Sequence, residues 1–237
     1  MTTPDKPAPK TQSKTTGKAD DTRARILNAA LDLFRRKGFE QATMREIASE
    51  AHVALGNAYY YFDSKEALVM AFYQRASDEM APRVEGVLQE VKGFEKRLGA
   101  ILAVKFDYFE PNRTFLGALL RHAADPEHPL SPFGEETRRI RERDIEFFAQ
   151  AFDGTRLDMP KDLAPHLPKL LWLYQMGLIL FWIYDRSPGQ RRTILLREKS
   201  LDLLASSLKL LSIPLLRPVR KRIIELVLAA EGTEANV

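Results

Sequence analysis

The chain has 237 residues, 45% of them hydrophobic and 29% charged, enough to bury a sizeable core and typical of a soluble globular protein with one large or two small domains. It has no cysteine, which excludes a disulfide framework, a thiolate metal site and a cysteine nucleophile. The net charge of +4 is modest and uneven: residues 1–65 carry 11 Lys and Arg against 8 Asp and Glu, residues 66–185 carry 15 against 19, and residues 186–222 carry 10 against 2. The largest basic block lies near the C-terminus.

Residues 1–20, rich in Thr, Pro and Lys, hold almost no large apolar side chain and are expected to form a disordered basic tail. The even spacing of Lys6, Lys10, Lys14 and Lys18 leaves open a second reading, an arm that touches phosphates. The first helix is predicted from Asp21 or Thr22, with Ile26, Ala29, Ala30, Leu33 and Phe34 on one face. Gly38 is placed to end it in a left-handed conformation, with Phe39 folding back as the apolar partner of that cap.

The stretch 43–65, TMREIASEAHVALGNAYYYFDSK, is the most informative. Thr43 and Glu46 have capping-box spacing, so a short helix starts there, with Ile47, Ala48 and Ala51 as its narrow apolar stripe. His52-Val53-Ala54 reads as a tight turn, and a second helix runs from Leu55 to Tyr61. Asp63 or Ser64 then caps the next helix, with Glu66 completing a second box from Asp63. Two helices joined by a 3–4-residue turn form a helix-turn-helix, whose second helix fits the DNA major groove. Tyr59, Tyr60 and Tyr61 point about 100° apart on a helix, so at least one phenol must face outward.

Beyond the reader unit, one helix is expected from Ser64 to Met80 and a separate one from Pro82, taken as a first helical residue, to Val91. Further helices are predicted over 94–110, 114–124, 135–152, 164–185, 189–212 and 216–230, with a proline-rich loop at 125–134. The apolar run Leu170–Tyr184 would span roughly 22 Å as a helix, short of a bilayer core of about 30 Å, and reads as a buried core helix. No strand pattern and no internal repeat is evident, so the fold class is all-α. The histidines are dispersed without ligand spacing, and no nucleophile–base pair, phosphate loop or metal motif appears, so neither a metal, nor a cofactor, nor an enzyme is expected. An N-terminus without an apolar leader suggests a cytoplasmic protein.

The run from Thr22 to Phe39, the segment Thr43-Met44-Arg45-Glu46-Ile47-Ala48, the segment Gly56-Asn57-Ala58-Tyr59-Tyr60-Tyr61-Phe62 and the segment Ser64-Lys65-Glu66-Ala67-Leu68 together resemble the DNA-binding domain of the TetR (tetracycline-repressor-type) regulators. The resemblance covers about residues 20–75. It implies base contacts from Arg45, Leu55, Gly56, Asn57 and Tyr60, and phosphate contacts from Thr43, Tyr59, Tyr61 and Lys65. Two positions depart from the family pattern: His52 stands where glycine is usual, and Ala54 where a Ser or Thr N-cap is usual. The resemblance further implies a domain over 21–66, a linking helix over 67–80, and a helical regulatory and dimerisation domain over 81–237. In that domain the last two long helices would form a homodimer interface. A small, partly apolar effector would sit among Phe106, Phe109, Phe115, His122, Phe148, Trp172, Tyr174 and Met176. The protein so implied is a homodimeric regulator, most often a repressor, on a pseudo-palindromic double-stranded operator, with no membrane partner. The rival readings are a DNA-binding protein without effector control and, behind it, a helical-bundle enzyme.

Overall fold

Helical periodicity becomes ten α-helices and three short 3-10 turns among the described residues, with no strand. The structure, a computed structural model, describes residues 13–123, 125, 127–155 and 160–230, side chains of residues 13–18, 121–123 and 230 excepted. Two compact units part between Phe72 and Tyr73.

The first unit holds α1 (Ser13–Lys37), α2 (Met44–Glu50), α3 (Leu55–Tyr61) and the start of α4 (Lys65–Glu90). Ile26, Ala30 and Phe34 of α1 are fully buried and share a core with Ile47, Ala48, Ala58, Phe62 and Leu68. Gly38 has φ +87°, its N–H bonds the Phe34 carbonyl at 2.9 Å, and the Phe34 and Phe39 rings meet edge to face at 5.3 Å. The expected glycine cap is therefore present. By contrast, α1 begins at Ser13 rather than Thr22, because extending a nucleated helix adds one hydrogen bond per residue. Residues 13–20 are thus helical, while 1–12, with Lys6 and Lys10, lie outside the described residues.

Two further expectations change in α4. Its cap is Ser64, whose Oγ accepts the Ala67 N–H at 3.1 Å; Asp63 accepts only the Ser64 hydroxyl, so no second box forms. Pro82 does not begin a new helix but lies inside α4. Met80, Val84 and Leu88, all buried, keep a four-residue spacing across the proline. That shared apolar stripe offsets the N–H that proline removes.

The second unit continues α4 and adds α5 (Phe94–Phe109), α6 (Arg113–Ala123), α7 (Arg138–Gln150), α8 (Leu167–Tyr184), α9 (Arg191–Leu211) and α10 (Arg217–Ala230). α8 packs against α6, α7 and α9, and α5 against α7 and α9. Arginines and a carboxylate close the helix ends. Arg113 Nη2 donates to the Trp182 carbonyl at 2.7 Å, and Arg97 Nη2 to that of Gln150 at 2.7 Å. Asp185 accepts from the Thr193 N–H and hydroxyl at 2.9 and 2.7 Å, starting α9. These bonds satisfy groups that every helix end leaves open. In the basic C-terminal block, Arg220 is buried on Asp162 at 2.9 Å, whereas Arg217, Lys221 and Arg222 are exposed.

Candidate nucleic-acid interface

The reader unit is held by local hydrogen bonds and one small buried residue. Thr43 is the N-cap of α2: its Oγ1 accepts the Glu46 N–H at 3.3 Å, and Glu46 Oε2 accepts the Thr43 N–H at 3.1 Å. Glu46 also pairs with Lys37, and Arg36 pairs with Glu50 at 2.9 Å, fixing α2 to the end of α1. These contacts lower the Glu46 pKa, Lys37 contributing most. The turn follows with His52 at φ +54°, a left-handed conformation of the kind glycine adopts most easily, and the Val53 N–H returns to the Ala48 carbonyl at 3.0 Å.

α3 has seven residues, too few to persist alone, and only Ala58 is buried, at 0% exposure. Ala54 caps it without a side-chain bond. The methyl of Ala58 brings the helix close to the core, and the remaining side chains point away from it or lie along its edge. Gly56, Asn57 and Tyr59 are exposed, Tyr60 reaches 81% exposure, and Leu55 and Tyr61 are half-buried. Tyr60 and Tyr61 meet edge to face at 5.2 Å.

The polar groups of this surface fall into two sets. Arg45 and Asn57 are exposed, and neither side chain has a hydrogen-bond or ion-pair partner among the described residues. Thr43 and Lys65 are engaged in the fold. The Thr43 hydroxyl also donates to Glu46 Oε2 at 2.9 Å, and Lys65 Nζ donates to the Phe39 and Glu40 carbonyls at 2.8 and 3.3 Å. The Lys65 ammonium also lies 4.6 Å from the Phe39 ring centroid. Its position in the first turn of α4, unfavourable for a cation, is thus compensated within the unit. One of its three N–H groups is left for an outside acceptor.

The second unit contains a half-open cavity of about 150 Å³, with a mostly apolar wall, between α4, α5, α6, α7 and α8. Phe109, Trp172 and Met176 line it. Phe106, Phe115 and Phe148 do not: each is buried elsewhere in the packing, Phe106 edge to face with Trp182 at 5.4 Å. Tyr174 turns toward α9, where its hydroxyl lies 2.6 Å from Ser200 Oγ. The His122 side chain lies outside the described residues. Aromatic residues recur at helical spacing whether they line a void or fill the core, which is why the sequence did not separate them. The polar lining was missed, namely Asp144, Gln175, Arg141 and Thr137. A signal existed for part of it, since Gln175 interrupts the apolar run of α8 and Lys105 sits on the apolar face of α5.

A capped helix, a left-handed turn and a short outward-facing helix on a helical support define a helix-turn-helix protein. The description "Bacterial regulatory proteins, tetR family" matches residues 26–72, and "Tetracyclin repressor-like, C-terminal domain" matches residues 97–223. The chain belongs to the TetR family of bacterial regulatory proteins. It is similar to the HTH-type transcriptional regulator UidR of Escherichia coli, 30% identical over 91 residues, covering 38% of this chain and 46% of that one. It is also similar to the HTH-type transcriptional activator FasR of Mycolicibacterium smegmatis, 34% identical over 91 residues, covering 38% and 42%. The matched stretches thus span under half of each relative. Among solved structures, a TetR regulator from Nitrosomonas europaea aligns with TM-score 0.62 at 19% identity, over 78% of this chain and 98% of that one. The regulator FadR of Bacillus subtilis, in complex with stearoyl-CoA, aligns with TM-score 0.61 at 16% identity, over 77% and 97%. At these identities the structural likeness concerns the fold.

Proposed function

We propose that the protein is a homodimeric, effector-controlled repressor that reads a pseudo-palindromic operator through α3 and the start of α2. The observation that carries this reading is the pair of exposed, unpartnered base-reading groups, Arg45 and Asn57, beside an outward row of phenols. Nearby, Arg36 and Lys37 are ion-paired. Arg45 suits guanine and Asn57 adenine, while Leu55 and Gly56 offer apolar contact and close approach. Tyr60 stands with these base-reading positions, while Tyr59 and Tyr61 bring hydroxyls to the backbone, and Lys65 its remaining N–H. Thr43 joins them by redirecting its hydroxyl from Glu46 to a phosphate.

The homodimer is supported by apolar stripes that the described residues of one chain leave uncovered. On α8 these are Leu173, Leu180, Phe181 and Tyr184; on α9, Leu196, Leu203 and Leu210 recur every seven residues. Gly177 lies on the α8 stripe with nothing within 4 Å of where a side chain would start. A mid-helix glycine costs about 1 kcal/mol relative to alanine, and no neighbour among the described residues accounts for it. Close approach of a second helix does. A four-helix bundle across a two-fold axis covers both stripes.

The cavity of about 150 Å³ supports a compact effector. Drug-sized ligands occupy about 300–1,000 Å³, so the acyl-CoA held by the FadR neighbour is a poor guide to the ligand here. Selection of bound sites from random duplexes, followed by footprinting, tests the reading. One inverted-repeat sequence with half-sites about 10 base pairs apart, or a multiple of that, is expected. Uniform coating of DNA would instead favour an architectural binder, and absence of binding would end both.

A further inference from the structure

The cavity wall of the second unit contains a buried polar chain with one open end. Lys105, 1% exposed, pairs through Nζ with Asp144 Oδ1. Asp144 Oδ2 accepts Gln175 Nε2 at 3.1 Å. Gln175 is 2% exposed, and its Oε1 has no hydrogen-bond partner among the described residues. The orientation of this amide follows from chemistry. A carboxylate paired with a lysine is an acceptor only, so Gln175 must offer it the NH₂ group, which leaves the carbonyl oxygen open. Both Asp144 and Gln175 line the cavity, whose remaining wall is mainly apolar, Phe109, Trp172, Met176 and aliphatic side chains, with Tyr73, Thr137 and Arg141 as its other polar members. A buried acceptor without a donor destabilises the fold, a penalty that a bound donor removes.

We propose that this cavity takes a compact, neutral, largely apolar molecule bearing one hydrogen-bond donor, an alcohol or phenol, and that Gln175 Oε1 reads the donor. This inference deepens the reading of the second unit as an effector domain and rests on it. Size follows from the volume: a cavity near 150 Å³ accommodates a benzene-sized body. Neutrality follows from the charges at the wall being engaged already, Asp144 by Lys105 and Arg141 by the Pro132 and Gly134 carbonyls at 2.9 Å, so that none is left to offset a charged ligand. The need for a donor follows from Gln175.

Phenol and toluene are equal in size and differ in the donor. In a wholly apolar cavity toluene binds better, because the phenol hydroxyl would be buried unpaired. Here the order is expected to reverse. Titration calorimetry of the full chain should show phenol binding about tenfold more tightly than toluene, the equivalent of one hydrogen bond, and benzoate not binding. In Gln175→Met, toluene should become the tighter ligand. Toluene equal to or tighter than phenol on the unaltered protein, benzoate binding as well as phenol, or no binding by any of the three would overturn the inference, whether or not the variant folds. Duplex selection on the same preparation separates the two readings. Phenol preference without any selected duplex keeps the ligand assignment and removes the regulator; a selected duplex without phenol preference does the opposite.

Discussion

Both units leave a helical face uncovered, and the two faces differ in what they offer. The α3 face presents an amide, phenols with polar tips and, from α2, a guanidinium. The α8–α9 face presents Leu173, Leu180, Phe181, Leu196, Leu203 and Leu210, none of which can form a hydrogen bond. Water satisfies the first face as well as DNA does, so it can stand open between binding events. Water does not satisfy the second, and apolar area of this kind drives association at roughly 25 cal/mol per Å². One face suits a partner that comes and goes, the other a partner that stays.

The sharpest way to break this contrast is to put a charge on the apolar face. Leu203, 68% exposed within one chain, is the substitution of choice. In a monomer such a surface change alters stability by within about 0.5 kcal/mol. At the centre of a subunit interface it should cost 2 kcal/mol or more, the scale of an interfacial hot spot. Leu203→Glu is therefore expected to weaken the dimer at least about thirtyfold in analytical ultracentrifugation while each chain stays folded. A wild-type chain that sediments as a monomer at micromolar concentration would remove the bundle from the proposal.

On the other face, the two sets of polar groups should separate in their effects on DNA. Asn57→Ala removes an unengaged group and is expected to relax preference at one base pair, by about 1–3 kcal/mol against the favoured base. Tyr61→Phe with Lys65→Ala should weaken binding to all sequences alike, and Lys65→Ala should lower the salt slope by about one. Competition binding against a panel of single-base operator variants distinguishes the patterns. If all three substitutions leave affinity unchanged, α3 does not face the duplex as proposed.

The reader unit was legible in the sequence because its determinants are local. Thr43 and Glu46 lie three residues apart, Gly38 and Phe39 are adjacent, and three consecutive tyrosines cannot share one helix face. The start of α1 and the continuity of α4 were less so. Whether Pro82 begins a helix or sits within one depends on whether Met80, Val84 and Leu88 find a common surface, a question of tertiary packing that proline chemistry alone cannot answer. The cavity was the least legible. Phe106 and Phe109 are three residues apart on α5, yet only Phe109 reaches the void, because the void is defined by what five helices jointly fail to fill.

The capping box gives a smaller effect, confined to the first unit. Thr43→Ala should lower its stability by about 1 kcal/mol, the usual worth of such a cap. Glu46 has its pKa lowered by Lys37 and by both Thr43 bonds. A depressed carboxylate pKa contributes stability above its unfolded value, near 4.3, and loses it as pH falls through the folded value. Acid titration of the first unit, followed by tyrosine fluorescence, should therefore show destabilisation beginning below about pH 4.3. In Thr43→Ala that acid-dependent loss should shrink, because the Glu46 pKa moves back toward the ordinary range.

His52 provides the smallest and most discriminating change. It is exposed at φ +54°, and a non-glycine residue in that conformation costs roughly 1–2 kcal/mol, whereas glycine adds about 0.5–1 kcal/mol of chain entropy to be lost on folding. Relief of strain outweighs the entropy, so His52→Gly should stabilise the first unit by about 0.5 kcal/mol. For a unit of this size that corresponds to a rise of about 2–4 °C in its thermal midpoint. If operator affinity is unchanged, the turn only aims α3, and the DNA-facing chemistry is confined to α2, α3 and the start of α4. If affinity falls while stability rises, the imidazole itself reaches the duplex, and the boundary of the reading face moves into the turn.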